Sequence, residues 1–327
     1  MTDESDAKPA AQVELDAQVK PGAQVKPAAK HKKSNALLNV MIAISTIAMI
    51  GALGLIAYPT FSDWWNRMHQ SYAVASYVEH TEDMSGAERK AMLKAAHEYN
   101  ERLAANGDRW HMTDAQKREY DATLDVTGTG IMGYVTIPRI KVKLPVYHGT
   151  SDGVLQIAAG HLAGTSLPVG GATTHAVVSG HTGLPSARLL TGLDELQKGD
   201  TFAFHVLDET YTYQVDQISV VLPSEISKLN IESGADYATL ITCTPYGVNS
   251  HRLLVRGHRI PNPKVPDKTQ YDEPGEMTAV AAAVIGLLVF VAGCAFVGLA
   301  RLWRRSWIVR HGLCAGAGAR HSSGVRG

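Results

Sequence analysis

Cysteine is scarce in this sequence, with only Cys243, Cys294 and Cys314 among its 327 residues. No Cys-x-x-Cys pair and no His-Glu-x-x-His pattern occurs, so a zinc site is not predicted. An excess of charge is also missing, because 31 Lys and Arg balance 31 Asp and Glu, and a nucleic-acid partner therefore has no electrostatic support. Since no acidic cluster suited to Ca²⁺ stands out either, we expect neither a metal nor a cofactor.

Two stretches of the chain contain no charged residue. They cover residues 36–58 and 277–300, and each exceeds the roughly 20 residues that an α-helix needs to cross about 30 Å of hydrocarbon. The alternatives are a cleaved signal peptide for the first run and a buried core helix for the second. The first run is longer than the about 7–15 apolar residues of a signal peptide, and no Ala-x-Ala-like site directly follows it. We therefore predict two transmembrane helices in a lipid bilayer.

The charges that flank these runs predict their orientation. Lysines precede the first run and arginines follow the second. Because basic residues favour the cytoplasmic side, we expect both termini in the cytoplasm and an external segment between the spans. Residues 1–35 are predicted to form a disordered tail, residues 263–276 a linker, and residues 301–327 a basic cytoplasmic tail.

The external segment divides into a helical part and a β-rich part. Residues 59–123 are predicted to form a helical extension, with a capping box at Ser85-Gly86-Ala87-Glu88, a helical pattern from about 61 to 105, and a loop from 106 to 121. Residues 124–262 contain short β-rich pieces, a hairpin turn at Asp208-Glu209 and one short helix at 186–196. The candidate strands are 133–137, 144–147, 176–179, 201–207, 211–215, 217–222, 237–242 and 253–260. Many short strands favour a closed barrel or a sandwich.

Cys243 is the only cysteine of the predicted external segment, so it has no partner there for a disulfide. It ends a probable strand, and Arg252 lies on the next one. A thiol near a permanent positive charge is favoured as a thiolate nucleophile, although an inert buried cysteine is the alternative. A cysteine nucleophile usually also needs a histidine, and spacing alone does not choose among the external candidates. These include His148, His161, His175, His181, His205, His251 and His258.

The stretch Thr239-Leu240-Ile241-Thr242-Cys243-Thr244-Pro245, with Arg252 after it, resembles the signature of the sortase family. Further motifs at 160–162, 164–171, 179–185 and 244–257 are similar to class C, the pilus-assembling sortases. The resemblance implies a mainly β fold, a closed eight-stranded sortase-type barrel, and a cysteine transpeptidase. Cys243 would attack the Thr-Gly bond of a Leu-Pro-x-Thr-Gly (LPXTG-type) sorting signal, His181 would be the general acid and base, and Arg252 would stabilise the oxyanion.

The resemblance also implies the partners. The incoming amine in class C is typically a lysine of the next pilin subunit, so the product would be a covalent pilus. Anchoring of surface proteins to a peptidoglycan precursor is the alternative within the family. A membrane-tethered adhesion or scaffold domain with an inert thiol is the alternative of another class.

One motif departs from the class C pattern. Such enzymes usually carry a lid with an Asp-Pro-aromatic motif, whereas this chain has Asp108-Arg109-Trp110. We hypothesise that these residues still cover the cleft, with Trp110 near Cys243 and Asp108 facing Arg252.

Overall fold

A closed barrel of eight strands forms the centre of the molecule. The computed structural model describes residues 32–264, 271, 282, 285–298 and 301. The strands are β1 (Ile131–Ile137), β2 (Val142–His148), β3 (Ala159–His161), β4 (Thr174–Ser179), β5 (Thr201–Val206), β6 (Glu209–Val221), β7 (Asp236–Thr244) and β8 (His251–Arg259). Around the barrel they follow the order β1-β2-β3-β4-β7-β8-β6-β5. The β2–β3 and β4–β7 pairs are parallel and the other pairs are antiparallel. The predicted mainly β, eight-stranded barrel is confirmed.

Alternating side chains fill the barrel. Along β5, Phe202, Phe204 and Val206 are buried while their neighbours are partly exposed. Phe202 stacks on Tyr213 of β6, with ring centroids 5.7 Å apart. This period-2 pattern is the one that the sequence shows, because a strand with one buried face must alternate.

The structure differs from the predicted elements in three places: one strand was missed, two candidate strands are one strand, and one predicted helix is a loop. Strand β3 was not predicted, because it has only three residues and no alternation to detect. The candidates 211–215 and 217–222 are one strand, β6, interrupted by an irregularity between Val215 and Gln217. The helix predicted at 186–196 is wrong: that segment is a loop with a 3₁₀ turn at Leu193–Glu195. Leu189 and Gly192 have φ angles of 43° and 92°, which a right-handed helix does not allow.

Three helices precede the barrel: α1 (Lys32–Asp83), α2 (Gly86–Ala105) and α3 (Asp114–Ala122). The capping box at Ser85 and Glu88 is confirmed as the start of α2, so the predicted helix 61–105 is interrupted there. Helix α3 begins with a second capping box, Thr113 with Gln116, inside the segment predicted to be a loop. A helix of four residues, α4 (Asp152–Leu155), lies within the barrel sequence.

Buried polar side chains attach the helices to the barrel. The Tyr77 hydroxyl donates to the Met132 carbonyl at 3.2 Å and accepts from the Leu207 amide at 2.8 Å. The Asn100 side chain on α2 bonds both the amide and the carbonyl of Leu167, at 2.7 and 3.1 Å. Such bonds satisfy backbone groups that strand pairing leaves open, and they define one docking position for each helix.

Helix α1 is long and apolar enough to span a membrane, with a mean hydropathy of 2.4 in its most apolar window and none of that window buried. The second predicted span, 277–300, lies partly outside the described residues, which include only the apolar helix Ile285–Gly298. Residues 1–31 of the predicted tail, most of the linker 263–276 and the tail beyond Arg301 also lie outside them. The described residues of Ala48–Arg301 form one compact unit, which contains the barrel.

Candidate active site

The pairing of β4 with β7 brings His181 beside Cys243. The two strands run parallel, with Thr174 opposite Asp236 at one end and Ser179 opposite Ile241 at the other. Their hydrogen bonds continue past the end of β4. The Gly180 amide donates to the Ile241 carbonyl at 3.0 Å, and the Thr242 hydroxyl donates to the Gly180 carbonyl at 2.8 Å. In the same register, His181 is the next residue opposite Cys243.

The pairing of β7 with β8 adds Arg252 to the other side of the thiol. In this antiparallel pair, Cys243 lies directly opposite Arg252. Residues opposed in this way point to the same face of the sheet, with Cβ atoms about 4.5–5.5 Å apart. His181, Cys243 and Arg252 therefore form one line across three neighbouring strand ends, which we call the edge row. The register thus places residue His181 on one side of Cys243 and Arg252 on the other.

The edge row lies on the outer face of the barrel. Ala238 and Leu240 of β7 belong to the core inside the barrel, whereas Ile241 belongs to a second cluster. Because side chains alternate along a strand, Cys243 shares the face of Ile241. Cys243 is half-buried and unpaired.

Arg252 contributes a positive charge that no described carboxylate compensates. Its Nη1 donates to the carbonyls of Asn249 and His251, at 3.2 and 3.1 Å, which hold the side chain on the β7–β8 turn. No carboxylate lies within ion-pair distance of it among the described residues. An uncompensated guanidinium at this position can stabilise an oxyanion formed next to it.

A glycine beside His181 lets the β7–β8 turn approach. The ring of Tyr246 lies against Gly183, where a Cβ atom would come within 2.6 Å of the Tyr246 Cε2 atom. Gly183 also has a φ of 71°, which favours glycine. Tyr246 itself is 73% exposed, so this contact forms a rim beside His181 rather than a buried core.

The other histidine that follows a glycine, His161, is fully buried. Its Nε2 lies 2.8 Å from the Ser166 carbonyl oxygen, which requires the proton on Nε2, and its Nδ1 lies 2.9 Å from the Tyr120 hydroxyl. Burial lowers the pKa of His161 to about 4. A neutral, fully bonded imidazole of this kind stabilises the fold and does not reach a substrate.

The remaining histidines of the barrel have protein partners as well. His175 bonds the Asn230 carbonyl and the Thr239 hydroxyl, at 2.8 and 2.7 Å, and burial lowers its pKa. His148 lies between the carbonyls of Gly130 and Thr123. By contrast, no described residue hydrogen-bonds the His181 ring. The His181 ring is therefore available to a ligand.

The segment from Asp108 to His111 differs in part from the expectation. Trp110 packs against a cluster on the outer face of the barrel, formed by Val177, Leu229, Ile241 and Leu254. Ile241 is two residues before Cys243 on β7 and shares its face of the sheet, so Trp110 lies on the same face as Cys243. Asp108 is exposed and pairs with His111 at 2.7 Å. The expected contact between Asp108 and Arg252 is therefore not present.

Arg109 holds this segment, and the sequence analysis did not single it out. Its guanidinium is buried and donates to the Gly164 carbonyl at 2.9 Å, the Leu229 carbonyl at 3.0 Å and the Asn230 side chain at 3.2 Å. It also stacks over the Trp110 ring at 4.3 Å. All the acceptors are neutral, so no negative charge offsets the loss of solvent around the guanidinium. Burial therefore lowers the pKa of Arg109. No local pattern predicts these bonds, because the acceptors are 55 to 121 residues away.

Among the residues that the structure describes, no group of three or more His, Cys, Asp or Glu is arranged to hold a metal ion. The edge row itself offers a thiol, an imidazole and a guanidinium. A β-barrel with such a row on its outer face has the features of a cysteine-dependent acyl-transfer enzyme.

Comparisons with known proteins agree with this class. Residues 135–260 match the family model of the sortase domain. Sortase C1 from Streptococcus agalactiae is 51% identical and superposes with a TM-score of 0.58, covering 59% of this chain and 100% of that one. A Clostridium perfringens sortase C, solved with the C-terminal cell wall sorting motif, is 40% identical with a TM-score of 0.52, covering 58% of this chain and 99% of that one. The chain belongs to the sortase family, whose members are cysteine transpeptidases.

The curated relatives match over a shorter part. Sortase A from Streptococcus agalactiae is 29% identical over 117 residues, which are 35% of this chain and 47% of that protein. The match therefore spans about half of that relative's length. The likeness to the solved sortase C structures is greater in both identity and coverage.

Proposed function

We propose that this protein is a membrane-anchored class C sortase that joins pilin subunits into covalent pili. The single observation that carries the proposal is the edge row, in which Cys243 has His181 on one side and Arg252 on the other. The proposed substrate class is a protein with an LPXTG-type sorting signal. This is supported by the Clostridium perfringens relative, which was solved with a C-terminal cell wall sorting motif.

The reaction has two acyl-transfer steps. In the first, the Cys243 thiolate attacks the threonine carbonyl of the Thr-Gly bond, and the His181 imidazolium gives its proton to the departing glycine amine. This leaves a thioacyl enzyme and a released C-terminal fragment. In the second step, neutral His181 takes a proton from the incoming amine as that amine attacks the thioester. The new amide bond forms, the Cys243 thiolate is released, and no oxidant or reductant is consumed.

Arg252 stabilises the tetrahedral oxyanion in both steps. Its guanidinium faces the same side of the sheet as Cys243, and no described carboxylate weakens its charge. Removal of one such donor in other acyl-transfer enzymes costs about 2.7–4 kcal/mol. Arg252 also helps to place the sorting signal beside the thiol.

The incoming amine distinguishes two functions within the family. Pilin polymerisation uses a lysine amine of the next subunit, and the greater likeness to sortase C structures favours it. Anchoring to a peptidoglycan precursor is the second candidate, favoured by the match to a protein named sortase A. Both share the same thioacyl enzyme.

The proposed location is the cell membrane, with two spans, cytoplasmic termini and an external catalytic domain. Helix α1 supports the first span by its length and hydropathy. The second span at 277–300 and the orientation rest on the apolar run and the flanking cations. The site then faces the compartment in which sorting signals become accessible.

Asp108 and Trp110 are proposed to belong to a lid beside the cleft. Trp110 is supported by its packing on the outer face next to Ile241. Asp108 contributes through its bond with His111 at the start of the segment.

The test uses the full chain in detergent, with and without Cys243→Ala, mixed with a pilin that carries an LPXTG-type sorting signal. We expect a ladder of covalent pilin species on a denaturing gel that disappears in the Cys243→Ala protein. Cleavage of the signal without a ladder would shift the function to cell-wall anchoring. A Cys243→Ala protein with full biological activity would instead support the non-catalytic scaffold.

A further inference from the structure

Helix α1 contacts the loop that follows His181. The Asp63 side chain accepts a hydrogen bond from the Arg188 backbone amide at 2.8 Å. The Asn66 side chain donates to the Ser186 carbonyl at 2.8 Å. Residues three apart on a helix share a face, so both side chains reach the loop from one side of α1.

The loop transmits this attachment to His181 over a short path. Two residues beyond Arg188, the Leu190 amide donates to the His181 carbonyl at 3.1 Å. The Leu190 side chain packs so closely on Gly180 that a Cβ atom there would come within 2.8 Å of it. Leu190 therefore contacts the backbone of both Gly180 and His181.

The same loop includes a backbone conformation that needs support from its surroundings. Leu189 is buried and has a φ of 43°, in the left-handed region that is unfavourable for a residue with a Cβ atom. Such conformations persist where neighbouring contacts define them fully. The bond from Asp63 to the adjacent Arg188 amide is one of these contacts.

The position of the His181 ring depends on this backbone. Within the described residues nothing hydrogen-bonds the ring, so no side-chain partner orients it. We propose that Asp63 and Asn66 of α1 are positioning residues, which hold the loop 182–192 so that His181 stays opposite Cys243. This inference rests on the proposed function. It gives helix α1, which contains the first apolar run, a role in positioning the active site.

The variants separate the hydrogen bonds from other effects. Asp63→Ala removes the acceptor for the Arg188 amide, and Asn66→Asp replaces the donor to the Ser186 carbonyl with an oxygen. Asp63→Asn keeps an acceptor oxygen and is the conservative variant. Arg67→Gln is the matched control, because it removes the ion pair of Arg67 with Asp63, 3.0 Å, and leaves both loop bonds in place.

The measurement is cleavage of an internally quenched peptide with a Leu-Pro-x-Thr-Gly signal by the full chain in phospholipid nanodiscs. We expect Asp63→Ala and Asn66→Asp each to lower kcat by about three- to tenfold, because one hydrogen bond contributes that much. The KM should change less than about twofold, since the sorting signal binds elsewhere. Asp63→Asn and Arg67→Gln should keep the wild-type kcat.

A double-mutant cycle distinguishes positioning from loss of folded protein. If Asp63 acts through His181, Asp63→Ala should lower the residual activity of the His181→Ala protein by less than about 1.5-fold. Hydrogen exchange gives an independent readout, with faster exchange of the 182–192 amides in Asp63→Ala and no change in Asp63→Asn.

The results distinguish failure of the positioning role of Asp63 and Asn66 from failure of the proposed function. Equal losses from Asp63→Ala in the wild-type and His181→Ala proteins, or unchanged loop exchange, would overturn the positioning role while the proposed function stands. A His181→Ala protein as active as wild type would overturn the assigned chemistry and this inference with it. Loss of kcat in Asp63→Ala, restored in Asp63→Asn and absent without His181, would establish the role.

Discussion

His161 and His181 each follow a glycine at the end of a short apolar piece, yet their surroundings differ completely. His161 ends β3 inside the protein, where Tyr120 from α3 and the Ser166 carbonyl bond both ring nitrogens. His181 lies two residues beyond β4, on the outer face, with no described hydrogen-bond partner for its ring. A histidine can take part in chemistry only where its ring nitrogens are not already bonded within the protein. A ring with both nitrogens hydrogen-bonded within the protein, as in His161, stabilises the fold. A ring with unbonded nitrogens, as in His181, can exchange protons with a substrate.

The burial of His161 also explains its charge state. Desolvation lowers its pKa to about 4, although the Ser166 carbonyl favours the protonated form. Near pH 7 the ring is therefore neutral. Its contact with Tyr120 also joins helix α3 to strand β3 of the barrel.

The largest expected effect compares the same substitution at the two positions. His181→Gln should lower kcat/KM for signal-peptide cleavage by at least about 10³-fold, because the general acid and base is lost. His161→Gln should retain kcat/KM within about threefold per folded molecule, since glutamine can still donate to the Ser166 carbonyl. Steady-state kinetics on active-site-titrated protein checks this. Comparable losses at the two positions would remove the distinction.

Stability should show the opposite order. His161→Ala leaves a cavity and removes the partners of Tyr120 and Ser166, so we expect a loss of about 3–4 kcal/mol in the free energy of unfolding. His181→Ala removes a partly exposed ring with no described bond, and a change within about 0.5 kcal/mol is expected. Chemical denaturation of the detergent-solubilised chain measures both values. A His181→Ala protein that is the less stable of the two would contradict the comparison.

The pH dependence of stability sharpens the comparison further. Because the folded pKa of His161 is about 4 and its ordinary value is 6.5, the unfolded chain binds the extra proton between these values. Stability should therefore fall as the pH drops from 6.5 to 4, by about 3 kcal/mol from this group. The expected slope is reduced in His161→Gln. Denaturation curves at several pH values across this window provide the test, and equal slopes in the wild-type and His161→Gln proteins would exclude His161 as the source.

The smallest expected effect concerns Trp110, which packs on the outer face of the barrel beside Cys243. Solvent is fully excluded from His161, whereas Trp110 shields the outer face only beside Cys243. Trp110→Ala should speed modification of Cys243 by a small thiol reagent about three- to tenfold, a difference worth about 1 kcal/mol. Asp108→Asn is the matched control with no expected change, because asparagine keeps an acceptor oxygen for the bond with His111. An unchanged rate in Trp110→Ala would count against a lid.

Local sequence determined the parts of this protein that depend on near neighbours. Alternation in β5 and the first half of β6, the capping box at Ser85 and the apolar part of α1 could be predicted, because periodicity and caps involve residues a few positions apart. Cys243 and Arg252 could be paired for the same reason, since they lie on two strands joined by a short turn. Resemblance to sortases, carried by these local motifs, then indicated the barrel and His181.

Contacts between distant segments of the chain could not be predicted from local sequence patterns. The register of β4 with β7 joins residues 62 positions apart. The bonds of Arg109 to Leu229 and Asn230, and the bond of Asp63, cross even longer separations. The loop at 186–196 has helix-compatible residues, but its burial and its contacts with α1 impose a different backbone. Long-range packing outweighs local propensity at such places, because burial and hydrogen bonds to remote partners exceed the small free-energy differences between local conformations.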